Sequence, residues 1–231
     1  MFAIIRAKSL LEAMPQIRAL EATTCVQHIV TVLSLDAGLS LKQINLKNCS
    51  IETIVLREFG WSKSLNVGIK ALSSGRSEDN FVLIVSTTVC VETYDVQSMM
   101  NSAQMQNASC SFALFEGREE PSYLLPRNTY IVWKKSVLER LGTFDETLDE
   151  STGMEDYEMV LRAYKELQKV PYLGSRSVKV KIPDSVTFER KLDRERKGIA
   201  LIEERYNKPL VESLHHHLAQ QRSLKNGNPT R

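Results

Sequence analysis

Phe81-Val82-Leu83-Ile84-Val85, followed by Ser86-Thr87-Thr88, is as long an uninterrupted apolar run as the chain contains. A run without polar alternation suits a strand buried on both faces, as in a parallel sheet covered by helices. Working outward, residues 61–72 place Leu65, Ile69 and Leu72 on one helical face. Residues 51–56 and 28–35 are β-branched and read as strands. Residues 10–20 carry Leu10, Leu11, Met14, Ile17 and Leu20 at helical spacing, and residues 2–6 form a short apolar strand before them. Strands and helices in this alternation predict a doubly wound α/β sheet.

Beyond the central run, residues 94–102 read as a short helix, 110–115 and 130–133 as strands, and 134–141 as a helix ended by Gly142. Residues 143–152 are polar and acidic and read as a loop. Residues 154–168 form an amphipathic helix with Tyr157, Val160, Leu161, Tyr164 and Leu167 on one stripe. A strand is expected at 178–182, stopped by Pro183. Helices are expected at 189–206 and 210–221, interrupted at Pro209, before a frayed end. This organisation divides the chain into an α/β domain at 1–185 and a helical extension at 186–231, which either caps the domain or pairs two subunits into a homo-oligomer.

The 231 residues include 42% hydrophobic and 25% charged side chains, enough for a buried core and against wholesale disorder. A net charge of +2 gives no field that would advertise nucleic acid or an anionic membrane. No apolar run is long enough to span a bilayer, and the N-terminal apolar stretch is too short for a secretory signal. Cys25, Cys49, Cys90 and Cys110 are widely spaced without a CxxC pair, so they are expected as reduced, mostly buried thiols of a cytoplasmic protein, with no support for a zinc site.

Three segments carry a resemblance. The first is Trp61-Ser62-Lys63-Ser64-Leu65-Asn66-Val67-Gly68, leading to the central strand. The second is the strand's end, Ser86-Thr87-Thr88. The third runs from Tyr130 through Gly142-Thr143-Phe144-Asp145-Glu146 and Gly153-Met154-Glu155-Asp156-Tyr157 to Leu161-Arg162. The chain resembles the family-2 glycosyltransferases of the GT-A fold, whose pattern is an Asn-x-Gly helix, a strand ending in Asp-x-Asp, a Gly-x-Phe-Asp-Glu turn and a Glu-Asp pair opening a helix. The resemblance implies a GT-A-like α/β fold, with a mostly parallel central sheet flanked by helices. It also implies transfer of a hexose from a nucleotide-sugar donor to a hydroxyl acceptor, with inversion. By position, Asp156 would be the base and Glu155 its neighbour.

The family uses Mg²⁺ or Mn²⁺ on its Asp-x-Asp, but Ser86-Thr87-Thr88 stands there in this chain, and hydroxyls alone are weak ligands for such cations. A late histidine that completes the metal site in some members has no match near 178–182, where Lys179 and Lys181 stand instead. No metal residue is therefore assigned, and Arg6, Lys179 and Lys181 are the candidates to offset the diphosphate charge. Arg6, Asp36, Asn66, Ser86 and Thr88 are the candidate nucleotide-sugar contacts.

Each candidate has a plainer reading. Thr152 with Glu155 matches a capping box, and acids suit a helix N-terminus. Ser86 and Thr88 suit a turn, Asn66 and Gly68 suit close helix packing, and Arg6 suits a surface ion pair. Trp61 and Trp133 either stack on a ligand or pack in the core. His215-His216-His217 reads as a solvated helical stretch, because adjacent side chains diverge by about 100° on a helix. The charged run at 189–197 reads as a solvated face. A second function class follows from the lost carboxylates: a degenerate GT-A domain that binds a partner or ligand without catalysis. A nucleotidyltransferase is disfavoured by the missing glycine-rich phosphate loop.

Overall fold

The computed structural model describes residues 1–35, 44, 46–73, 81–87, 89, 93–115, 130–151, 154–178 and 185–225. Seven strands, β1 (Phe2–Ala7), β2 (His28–Ser34), β3 (Ser50–Leu56), β4 (Phe81–Ser86), β5 (Cys110–Phe115), β6 (Tyr130–Lys134) and β7 (Tyr172–Val178), form one sheet in the order β3-β2-β1-β4-β6-β5-β7. The first four are mutually parallel. β6 runs antiparallel to β4 and to β5, and β7 is parallel to β5. The helices are α1 (Leu10–Ala22), α2 (Trp61–Ser73), α3 (Thr93–Met105), α4 (Lys135–Leu141), α5 (Glu146–Ser151), α6 (Glu155–Leu167), α7 (Ser185–Tyr206) and α8 (Lys208–Lys225).

The apolar runs explain the double winding. Successive side chains of β1 point to opposite faces. Phe2 and Ile4 join Val30, Val32, Val82, Ile84 and Trp133 in one core layer with α2, α4, α6 and α8. Ala3, Ile5 and Ala7 join Ile29, Leu33, Leu83, Val85 and Val132 in the other, with α1 and α3. Close approach matters where α2 crosses β1. A Cβ built on Gly68 would stand 2.9 Å from Ile4 Cγ2, so the expected packing role of Gly68 is physical. At the end of α4, Gly142 adopts φ 78° and ψ −140°, a region open essentially to glycine alone, while its N–H closes on Leu138 O at 2.9 Å.

Several expectations need correction. A strand that was not expected lies at Tyr172–Val178; of the strand expected at 178–182 only Val178 is described, and residues 179–184, with Lys179, Lys181 and Pro183, fall outside the described residues. The acidic loop at 143–152 contains α5, because Asp145 Oδ1 accepts from Thr147 N at 2.9 Å and Thr147 Oγ1 at 2.6 Å and so starts a helix. The C-terminal break falls at Asn207, left-handed at φ 64°, and Pro209 sits in the first turn of α8, where its missing N–H costs little.

The C-terminal helices share the main core: Ile202, Tyr206, Val211, Leu214 and Leu218 are buried in the same layer as Trp133 and Tyr157. Cys25, Cys49 and Cys110 are free, and burial pushes the Cys110 thiol far up; Cys90 is outside the described residues. Among the described residues, no helix is long and apolar enough to cross a membrane.

Candidate functional site

The sheet order places a switch point between β1 and β4. The chain leaves β1 for β2 on one side, and β4 lies on the other. Open α/β sheets bind ligands outside the carboxyl ends of the strands at such a point. Arg6 and Ser86 are register partners there. Arg6 is buried, donates from Nη1 to Trp61 O at 3.2 Å, and lays its guanidinium 4.7 Å from the centre of the Trp61 ring. It is thus a buried cation beneath an indole, unlike the surface ion pair that was its plainer reading. Trp61 itself is 41% exposed, whereas Trp133 is fully buried against Phe144, so the packing reading holds for Trp133 alone.

Ser86 is half-buried at the strand end, and the next residue is clasped from α1. Thr87 Oγ1 donates to Glu12 Oε1 at 2.8 Å, while Glu12 Oε2 accepts from Lys8 N at 2.9 Å. Ser9 Oγ caps α1 by accepting from Glu12 N at 3.2 Å. Buried Gln16 donates from Nε2 to Thr87 O at 3.1 Å and to Val89 O at 2.6 Å. Glu12 and Gln16 therefore hold the end of β4 and the residues after it against α1. Sequence reading missed both, although Ser9-x-x-Glu12 is a capping-box signal. Asp36 and Thr88 are outside the described residues.

The divalent cation used by the resembled family fits these residues poorly. Among the described residues, Ser86 and Thr87 offer only neutral oxygens, and the one carboxylate bonded there, Glu12, is engaged by the Thr87 hydroxyl and Lys8 N. Among the described residues, no group of three or more His, Cys, Asp or Glu side chains could hold a metal.

The other segments meet on the α2 side of the sheet. Asn66 accepts on Oδ1 from Phe144 N at 2.7 Å and donates from Nδ2 to Phe144 O at 3.0 Å and Glu146 Oε1 at 2.9 Å. Its amide thus fixes the Gly-x-Phe-Asp-Glu turn. After α5, the first turn of α6 carries Glu155, Asp156 and Glu158, all buried. The expected capping box is not the cap: the N-cap is Met154, which makes no side-chain bond, and Thr152 is outside the described residues. Asp156 Oδ1 instead accepts from Tyr157 N at 2.8 Å.

Glu158 receives Arg162 Nη2 at 2.9 Å and the Tyr206 hydroxyl. Arg162 also donates to Leu141 O and Thr143 O, each at 2.9 Å, bracketing Gly142. Arg205 pairs with Asp145 Oδ2 at 2.6 Å. Burial pushes the Asp145 carboxyl up, but the Thr147 hydroxyl, the Arg205 guanidinium and the Thr147 amide together hold it below the usual range. A cavity of about 380 Å³ is lined by Thr143, Phe144, Asp145, Glu146, Glu158 and Arg162.

The histidine run is less solvated than expected. His215 Nε2 lies 2.7 Å from the Tyr157 hydroxyl, and His217 meets the Tyr164 ring edge to face; His216 is exposed. Burial pushes His215 below its ordinary value, against the upward pull of Glu203 and Glu212. The unfolded chain therefore binds a proton that the folded chain resists. The contribution is complete above about pH 6.5 and is lost as pH falls below it. Melting temperatures compared at about pH 7.5 and about pH 5.5 are expected to fall more in the wild type than in His215→Gln. An equal fall in both proteins contradicts this assignment.

The fold class follows from the sheet order: a mixed α/β sheet flanked by helices, the GT-A-like fold of glycosyltransferases. A crystal structure of residues 1–349 of TarS from S. aureus is similar over 96% of this chain and 70% of its own, at 16% identity and a TM-score of 0.61. The mannosyltransferase PcManGT from Pyrobaculum calidifontis, in complex with GDP-Man and Mn²⁺, matches 95% of this chain and 69% of its own, at 10% identity and a TM-score of 0.65. Against a longer TarS chain, at 16% identity and a TM-score of 0.61, the match covers this chain completely and 44% of that one. No protein-family model and no curated protein matches the sequence.

Proposed function

We propose that the protein transfers a glycosyl group, a hexose, from a nucleotide-sugar to a hydroxyl acceptor. The observation that carries this reading is the convergence on the α2 side of the sheet: α2 covers Arg6 at the switch point through Trp61 and pins the 144–146 turn through Asn66. The similar structures add support: TarS is known in complex with UDP-GlcNAc, and PcManGT in complex with GDP-Man and Mn²⁺.

In this reading Arg6 and Ser86 meet the donor at the ends of β1 and β4, with Asp36 and Thr88 as further donor contacts. Asn66 acts by holding the turn. Asp156 takes the acceptor's proton as the acceptor oxygen bonds to the anomeric carbon. The bond from that carbon to the diphosphate breaks with inversion, and the nucleoside diphosphate leaves with the electron pair. Glu155 is the neighbouring carboxylate. The leaving charge is offset by Arg6 together with Lys179 and Lys181.

Calorimetry with UDP and GDP, with Mn²⁺ and with EDTA, tests this reading. Micromolar binding that persists in EDTA is the expected result. Absence of binding under both conditions would instead fit the alternative, a GT-A-like domain that serves as an interaction module.

A further inference from the structure

We propose that Trp61 is the stacking surface for the nucleobase of the donor, an inference that rests on the glycosyl-transfer reading above. The chain has two tryptophans, and they differ in kind: Trp133 is 0% exposed and Trp61 is 41% exposed. Isolated exposed apolar side chains such as Leu11 and Met105 need no explanation. Trp61 differs from them because the buried guanidinium of Arg6 ties it to the switch point, both through its carbonyl and beneath its ring. Phe59 steadies the indole from the side, with ring centres 5.5 Å apart at 72°.

A flat aromatic face beside a buried cation matches one kind of small molecule closely: a planar heterocycle joined to phosphates. Stacking serves the ring, and the positive charge serves the anion. A pyranose offers the indole only its C–H face and brings no charge. Position along β1 supports the same assignment. Phe2, Ile4 and Arg6 share the face covered by α2, so strand periodicity delivers the cation directly under the first turn of that helix.

The test uses the full chain, UDP and a UDP-sugar, with Trp61→Leu and Trp61→Phe. UDP is expected to shield the exposed tryptophan's emission from acrylamide, with buried Trp133 as an unquenched background. By calorimetry, Trp61→Leu is expected to weaken UDP and the UDP-sugar equally, about five- to a hundredfold, and Trp61→Phe to recover most of the affinity. UDP bound by Trp61→Leu as tightly as by the wild type, or a loss confined to the sugar-bearing ligand, overturns the inference and leaves glycosyl transfer standing. Unchanged acrylamide access in the UDP-saturated wild type overturns it as well. A wild type that binds no nucleotide overturns both.

Discussion

Asp156→Asn is expected to leave the protein folded and to lower kcat by about 10²–10⁴-fold, the usual contribution of a positioned general base. Asp156 lies in the first turn of α6, buried, with Oδ1 held by the amide of Tyr157 at 2.8 Å. The asparagine oxygen can accept the same bond, so the carboxylate is removed without removing the anchor. Donor affinity should not change, because the lost interaction belongs to the acceptor hydroxyl in the transition state. Steady-state kinetics with a chromatographic assay for released nucleoside diphosphate reads the effect. A kcat within about a factor of ten of wild type contradicts the assignment of Asp156 as base.

The largest stability effect is expected at Arg162. Its guanidinium donates to Leu141 O and Thr143 O and to Glu158, whose side chain is only 4% exposed. Arg162→Met strands a buried carboxylate and two carbonyls on either side of Gly142. Breaking such a buried pair from one side costs about 3–5 kcal/mol, far above the value of an exposed ion pair. Denaturant unfolding should show that loss, and Arg162→Met combined with Glu158→Gln should recover a large part, since the stranded charge is then gone while an acceptor remains for the Tyr206 hydroxyl. A single-variant loss below about 1 kcal/mol would place this pair with ordinary surface bridges.

The parallel half of the sheet was legible because β1, β2 and β4 are buried on both faces and so read as largely apolar runs, while the edge strand β3 was legible from its β-branched residues. The direction of β6 was not: Tyr130-Ile131-Val132-Trp133 presents the same pattern whichever way it runs, and only its pairing with β4 decides. β7 was not foreseen because its sequence, YLGSRSV, carries a glycine and serines where an apolar strand would be expected. α5 was hidden inside an acidic stretch, although Asp145 ahead of Glu146 and Thr147 was a usable start signal.

For the site, residue types were legible and partners were not. Asn66 was read as a packing residue or a nucleotide contact, and its observed partner lies 78 positions away at Phe144. Arg205 belongs to the C-terminal helices and reaches Asp145 across 60 positions. Such long-range hydrogen bonds leave no periodic trace, so the coupling between the extension and the turn became visible only in three dimensions.

The central claim is that the crevice at the carboxyl ends of β1 and β4 receives an activated sugar. A crystal structure of the full chain soaked with UDP measures this most directly. The account predicts the diphosphate over Arg6 and Ser86 with the uracil against Trp61. Nucleotide seated elsewhere, or an empty crevice at saturating ligand, would contradict it.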